Sequence, residues 1–310
     1  MRVDISRCRV VAFNVGGEAG ISMMHTHRIQ ALALLIAIAS ACNTSWAQTT
    51  LETAKRTGKA TVGIYNQAPW GFQTADGKIS GQAVDVLMTA FKGLGINEFN
   101  PVISEFSALI PGLQAKRFDV IAAGLFIRPD RCKLVAFGNP DIKMGDGLLV
   151  RTGNPHKIHS YQDIAANPSV KIGTARGNIQ AQYATTAGIP SDRQFLFPDN
   201  QSALSGLIAG RVDAVSATAA SIVTLANDAK ASGVERALPF VGLRDAAGNE
   251  QFGYPALAFR LEDSDFRDAY NAQLEKMRAD GTLLAINKRY GFTENDMPAP
   301  ERTAQALCNL

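Results

Sequence analysis

The chain has 310 residues, room for one large domain or two ordinary ones. Hydrophobic residues make up 46% and charged residues 19%, which excludes a disordered, collagen-like or low-complexity chain. The net charge of +3 comes without a Lys/Arg cluster, which argues against nucleic acid, and the four cysteines (Cys8, Cys42, Cys132, Cys308) include no C-x-x-C pair of the zinc-ribbon or thioredoxin type.

At the front, residues 31–39 form a short apolar run after His25, His27 and Arg28. That pattern reads as a secretory signal peptide, since a bilayer span needs about 20 apolar residues. Ser45-Trp46-Ala47 supplies small residues for cleavage after Ala47, and Met23 or Met24 is an alternative start. A competing reading attaches lipid at Cys42, although Ala39 stands where a lipobox prefers Leu. Cleavage removes four arginines and two acidic residues, taking the net charge from +3 to +1. It leaves Cys132 and Cys308, either as a bridge, which requires the C-terminal tail to fold back, or as two free thiols.

After the leader, residues 60–65 read as a strand, 82–94 as an amphipathic helix and 100–103 as a second strand. Residues 107–119 then follow the pattern Ser-Ala-Leu, Gly-Leu-x-Ala-x-Arg-x-Asp, and residues 202–213 repeat it about 95 residues later. An apolar strand follows each copy, at 120–123 and 214–217. The repeat predicts two α/β lobes of similar topology. Residues 170–173 and 195–198 read as further strands, and a helix follows Gly177. Two extended segments, 147–151 and 254–260, are candidates to carry the chain between lobes, and 264–279 is an amphipathic helix. The expected division is a leader at 1–47, first lobe 48–149, second lobe 150–255, a return to the first lobe at 256–292, and a tail at 293–310. A cleft between lobes joined by two strands is a natural ligand site and hinge.

Catalytic signals are thin. There is no G-x-S-x-G, H-E-x-x-H or Walker loop, and His156 and His159 sit in a polar connection without an acidic cluster. No catalytic residue, metal or cofactor is expected. What stands out is a set of aromatics beside an arginine. Trp70 lies in a Pro-x-Gly turn after the first strand, Phe106 follows the second, and Phe126 and Arg131 follow the strand after Asp119. Segments past the C-terminal ends of parallel strands line a ligand crevice, so these residues are expected to converge. Aromatic faces attract delocalised cations, and a guanidinium holds a carboxylate by a bidentate pair. Together they suit a small zwitterion. Trp70 is expected to be exposed to the cleft.

These residues carry a resemblance. The segment I-P-G-L-Q-A-K-R-F-D-V-I-A-A-G-L-F-I-R-P-D-R-C-K-L-V-A-F-G-N-P at 110–140, the A-P-W-G-F turn, and F-P-D-N-Q-S-A-L at 197–204 resemble the periplasmic solute-binding proteins of ABC importers. Within them the likeness is greatest to ectoine/hydroxyectoine binders, and it covers nearly all of 57–292. It implies a type 2 periplasmic-binding-protein fold: two α/β lobes, each a mixed sheet flanked by helices, joined by two hinge strands. It also implies a periplasmic monomer that hands its ligand to an ABC membrane permease. Carried over residue by residue, the carboxylate-binding arginine falls on Arg131 and the aromatic box on Trp70, Phe106 and Phe126. Gln67 stands where ectoine binders place an acid, and Arg128 where Thr is usual. Gly124 and Phe126 replace small hydroxyl residues of the amino-acid binders, and Thr218 replaces their second-lobe acid. Asn178, after Gly177, is expected either to meet the carboxylate with backbone N–H groups or to act as a plain helix N-cap. A polar amino acid or quaternary amine is the alternative ligand. A secreted cyclic-acid dehydratase, with Glu105 as its acid or base, is the alternative function.

Overall fold

A computed structural model describes residues 48–309 except 230, 231 and 246. The leader, the cleavage point at Ala47 and Cys42 lie outside the described residues. Two five-stranded mixed sheets organise the chain. The first runs in the order Glu98–Ile103, Lys59–Ile64, Val120–Phe126, Pro255–Phe259, Ala136–Phe137. Its first three strands are parallel and Pro255–Phe259 is antiparallel to both neighbours. The second runs in the order Val234–Arg236, Asp146–Arg151, Ala214–Thr218, Ile172–Ala175, Gln194–Phe197. There too three strands are parallel, and Asp146–Arg151 runs against them. In each sheet the antiparallel strand beside the parallel three is the one that follows a crossing from the other sheet. The two αβ repeats feed the central strands Val120–Phe126 and Ala214–Thr218 of their respective sheets.

Helices cover the sheets because their apolar residues recur every three or four positions. In Gln82–Lys92 the buried set is Ala83, Val84, Val86, Leu87, Ala90 and Phe91. In Ser264–Ala279 it is Phe266, Tyr270, Leu274 and Met277. Each Val, Leu, Phe or Met side chain among them, once buried, stabilises by about 1.5–3 kcal/mol before entropy is counted, and each Ala by less. Thr49 opens the helix Thr50–Thr57 with a reciprocal capping box to Glu52, and Gly58 ends it in the left-handed conformation.

Sequence and structure differ mainly at element ends. The strand expected at 170–173 is Ile172–Ala175, and the helix after Gly177 begins at Gln180. The tail carries a short helix, Ala304–Cys308, and Cys308 is bonded to Cys132 with Cα atoms 5.8 Å apart. The segments crossing between the sheets pair with each other at Met144 and Gly253. Beside the first of them lies a separate apolar cluster of Trp70, Phe126, Ile142, Met144, Ile179 and Phe292, drawn from the first sheet and its loop, the first crossing, the approach to the helix Gln180–Thr186, and the C-terminal segment.

Candidate functional site

A pocket of about 390 Å³, part of it open to solvent, lies between the two sheets. All seven residues expected at the site line it: Gln67, Trp70, Phe106, Phe126, Arg131, Asn178 and Thr218. The strand-end rule explains the convergence. Gln67 and Trp70 follow Lys59–Ile64, Phe106 follows Glu98–Ile103, and Phe126 ends its own strand with Arg131 on the short helix Pro129–Cys132.

Arg131 is buried at 8% exposure. Its guanidinium donates to the Phe126 carbonyl at 3.0 Å and to the Gly177 carbonyl at 2.9 Å, so it joins first-sheet and second-sheet elements. It also lies over the Phe106 ring, 5.5 Å from the centroid. Among the described residues no carboxylate pairs with it. Desolvation, then the nearby Arg128 charge, pull its pKa down to about 10, so it stays protonated at neutral pH. A buried, unpaired guanidinium facing a pocket is costly unless something anionic meets it.

Trp70 departs from expectation. It is not exposed in the cleft but buried at 3% exposure. Phe292 stacks with its ring at 6.0 Å between centroids. The strand Val120–Phe126 bulges opposite Ala256/Ala258, and within the bulge Gly124 adopts φ +64°. A Cβ there would stand 2.6 Å from the indole, so only glycine lets ring and backbone meet. The indole N–H donates to Thr218 Oγ1 at 3.3 Å and Ser221 Oγ at 3.2 Å. Phe126 is wedged likewise, since a Cβ on Gly253 would fall 1.8 Å from its ring.

The second sheet supplies smaller groups. Thr218 caps the helix Ala219–Asp228 by accepting from the Ser221 N–H, besides meeting Trp70. Asn178 lines the pocket but is not the helix N-cap. Ile179 precedes the helix Gln180–Thr186, the Asn178 N–H bonds to the Ala175 carbonyl, and the side chain reaches Asn200 Oδ1 at 3.4 Å. Gln67 Nε2 donates to the Ala68 carbonyl, leaving its Oε1 as an acceptor.

Other lining residues went unnoticed in sequence: Tyr65, Gln180, Asn200 and Ser221. Tyr65 directly follows the first strand and Asn200 lies just past Gln194–Phe197, so the same strand-end rule reaches both. Tyr65 Oη accepts from the Asn200 N–H at 3.3 Å, and burial pushes its pKa up to about 12. Arg128 lies outside the pocket lining, donating to Gln182 Oε1 at 2.6 Å and pairing with Asp130 at 3.0 Å. Glu105 is exposed and does not line the pocket, which removes the acid or base of the dehydratase reading. His156 and His159 are also elsewhere, the former 3.5 Å from Asp213.

Comparison with known proteins agrees with this architecture. Residues 60–294 match the model of the bacterial extracellular solute-binding proteins, family 3. A probable amino-acid ABC transporter periplasmic-binding protein of Sinorhizobium fredii is 35% identical, over 84% of this chain and 86% of its own. The L-arginine-binding protein of Pseudomonas aeruginosa is 28% identical, over 72% and 83%. Among solved structures, EhuB in complex with hydroxyectoine superposes with a TM-score of 0.76 at 38% identity, over 84% of this chain and 99% of that one. These relatives are solute-binding proteins, and the chain belongs to the bacterial extracellular solute-binding proteins, family 3.

Proposed function

We propose that the protein captures ectoine or hydroxyectoine outside the cytoplasm and delivers it to an ABC permease. The carrying observation is Arg131, a buried guanidinium without a carboxylate partner among the described residues, at the rim of an aromatic-lined pocket. The ligand's carboxylate meets Arg131, and its delocalised cyclic cation lies among Trp70, Phe106 and Phe126. Gln67, Asn178 and Thr218 supply hydrogen bonds. The lobes, 48–149 with 256–292 and 150–255, close over the ligand about the crossing segments, and the permease reads the closed form. In this reading the chain is exported by the leader, cleaved after Ala47 and active as a periplasmic monomer. The likeness to EhuB, a structure holding hydroxyectoine, supports this ligand class.

A polar amino acid is the second reading, favoured by the L-arginine-binding relative. Against it, no carboxylate lines the pocket to receive an α-ammonium. Calorimetry with ectoine, hydroxyectoine and L-arginine separates the two. Heat and a thermal shift with the ectoines support the proposal, and a response to L-arginine alone replaces it with the second reading. Silence towards all of them at millimolar ligand sinks both.

A further inference from the structure

The pocket's cationic residue is Arg131, yet a zwitterion needs a negative pole as well. None of the lining residues carries one. One layer behind the lining, however, stands Asp146. It opens the strand Asp146–Arg151 and sits opposite Thr218 in the antiparallel register, one strand away from a pocket residue. Its Oδ1 accepts from Gln180 Nε2 at 2.6 Å, and its Oδ2 accepts from the Tyr161 hydroxyl at 2.8 Å. Tyr161 is backed in turn by Ser216 Oγ at 2.6 Å. Among the described residues no cation pairs with Asp146. Arg131 lines the pocket and Asp146 stands behind Gln180, which lines it too, and neither has an oppositely charged partner among the described residues.

Resting on the reading that the pocket takes a zwitterion, we propose that Asp146 is the positioning residue for the ligand's cationic end, acting through Gln180. Asp146 engages the amide nitrogen of Gln180, so the carbonyl Oε1 is the edge that Gln180 offers to the pocket it lines. A neutral amide can present either edge, but a carboxylate behind it accepts only, and this fixes which edge faces the ligand. The same carboxylate polarises the amide and strengthens Oε1 as an acceptor for a ligand N–H⁺. The site therefore selects ligands that carry a cationic N–H donor as well as a carboxylate. The missing acid of the second lobe is replaced by an acid set one residue deeper.

Desolvation of Asp146 raises its pKa to about 6, with Gln180 and Tyr161 opposing and Glu250 reinforcing. The other groups facing it are Ser216, Tyr183 on the Gln180 helix, and Arg236 beside the same strand. Above pH 6 the carboxylate is ionised and the amide is held. Below it the protonated acid donates as well as accepts, and Gln180 is released to turn.

Titration of the full protein with ectoine tests this. At pH well above 6, Asp146→Asn and Gln180→Leu are each expected to bind about tenfold more weakly than wild type. The double variant is expected to be no weaker than Gln180→Leu alone, because one residue acts through the other. Wild-type affinity falls about tenfold as pH drops through about 6, and Asp146→Asn shows no such fall. The raised pKa means that the ionised carboxylate costs stability above pH 6, so ligand-free Asp146→Asn melts no lower than wild type there. A flat wild-type pH profile overturns the proposal even if the variant fails to fold. So does an Asp146 effect that persists in the Gln180→Leu background. Wild type that binds ectoine while Asp146→Asn binds it equally leaves the ectoine reading standing and removes only Asp146. Wild type that ignores ectoine ends both.

Discussion

The wall supplied by the first sheet is large, aromatic and cationic, built from Tyr65, Trp70, Phe106, Phe126 and Arg131. The wall supplied by the second is small and hydrogen-bonding, built from Asn178, Gln180, Asn200, Thr218 and Ser221. The first set is held by its own packing: Phe292 backs Trp70, Gly253 backs Phe126, and Arg131 lies on Phe106. Most groups of the second set already bond across to the first, as Thr218 and Ser221 do to Trp70 and Asn200 does to Tyr65. The difference teaches a division of labour. In the proposed function, the first wall would supply most of the affinity and the second would report that the lobes have met.

That division is open to attack by mutation. The largest effect is expected from Arg131→Met. Ligand binding should weaken by at least about a hundredfold in calorimetry, since the ligand carboxylate would be desolvated without a partner. The ligand-free protein should melt no lower, because the unpaired buried charge is gone. Phe106→Ala should weaken binding about tenfold, through loss of one cation–π face and of the plane that supports Arg131. Thr218→Val should cost about 1 kcal/mol of stability through the lost helix cap. Its effect on affinity should be only a few-fold, and an effect as large as that of Phe106→Ala would break the comparison. The smallest change is expected from Arg128→Ala, which removes the Arg128–Gln182 contact between lobes outside the pocket. About a twofold faster ligand release in stopped flow, fading at high salt, would mark it as a partly exposed latch.

Much of the site was legible because one rule applies to it: parallel strands deliver their C-terminal ends to a common crevice. Trp70, Phe106, Phe126 and Arg131 were found that way, and Tyr65 and Asn200 obey the same rule although neither is conspicuous by type. The burial of Trp70 was not legible. A Pro-x-Gly turn suggests a surface, but Phe292 arrives from more than 200 positions away and closes over it. Asp146 was hidden for a related reason. Its neighbourhood with Thr218 exists only through an antiparallel register between strands some 70 positions apart, and Gly-Asp-Gly carries no local sign of it. The helix after Gly177 was expected near its place, but its cap was not, because Ile179 rather than a polar residue precedes it. Local pattern thus reported which elements form, whereas contacts made over long loops decided which side chains stay free.

Gly253 belongs to one of the two crossing segments and presses its bare backbone on the Phe126 ring. The ring thus has one edge in the pocket and another on a crossing segment. If the lobes close about the crossing segments as proposed, a guest that shifts Phe126 by a fraction of an ångström would push directly on one of them. By the same contact, a methyl group at residue 253 would displace the Phe126 ring and so reshape the pocket, although that residue does not line it.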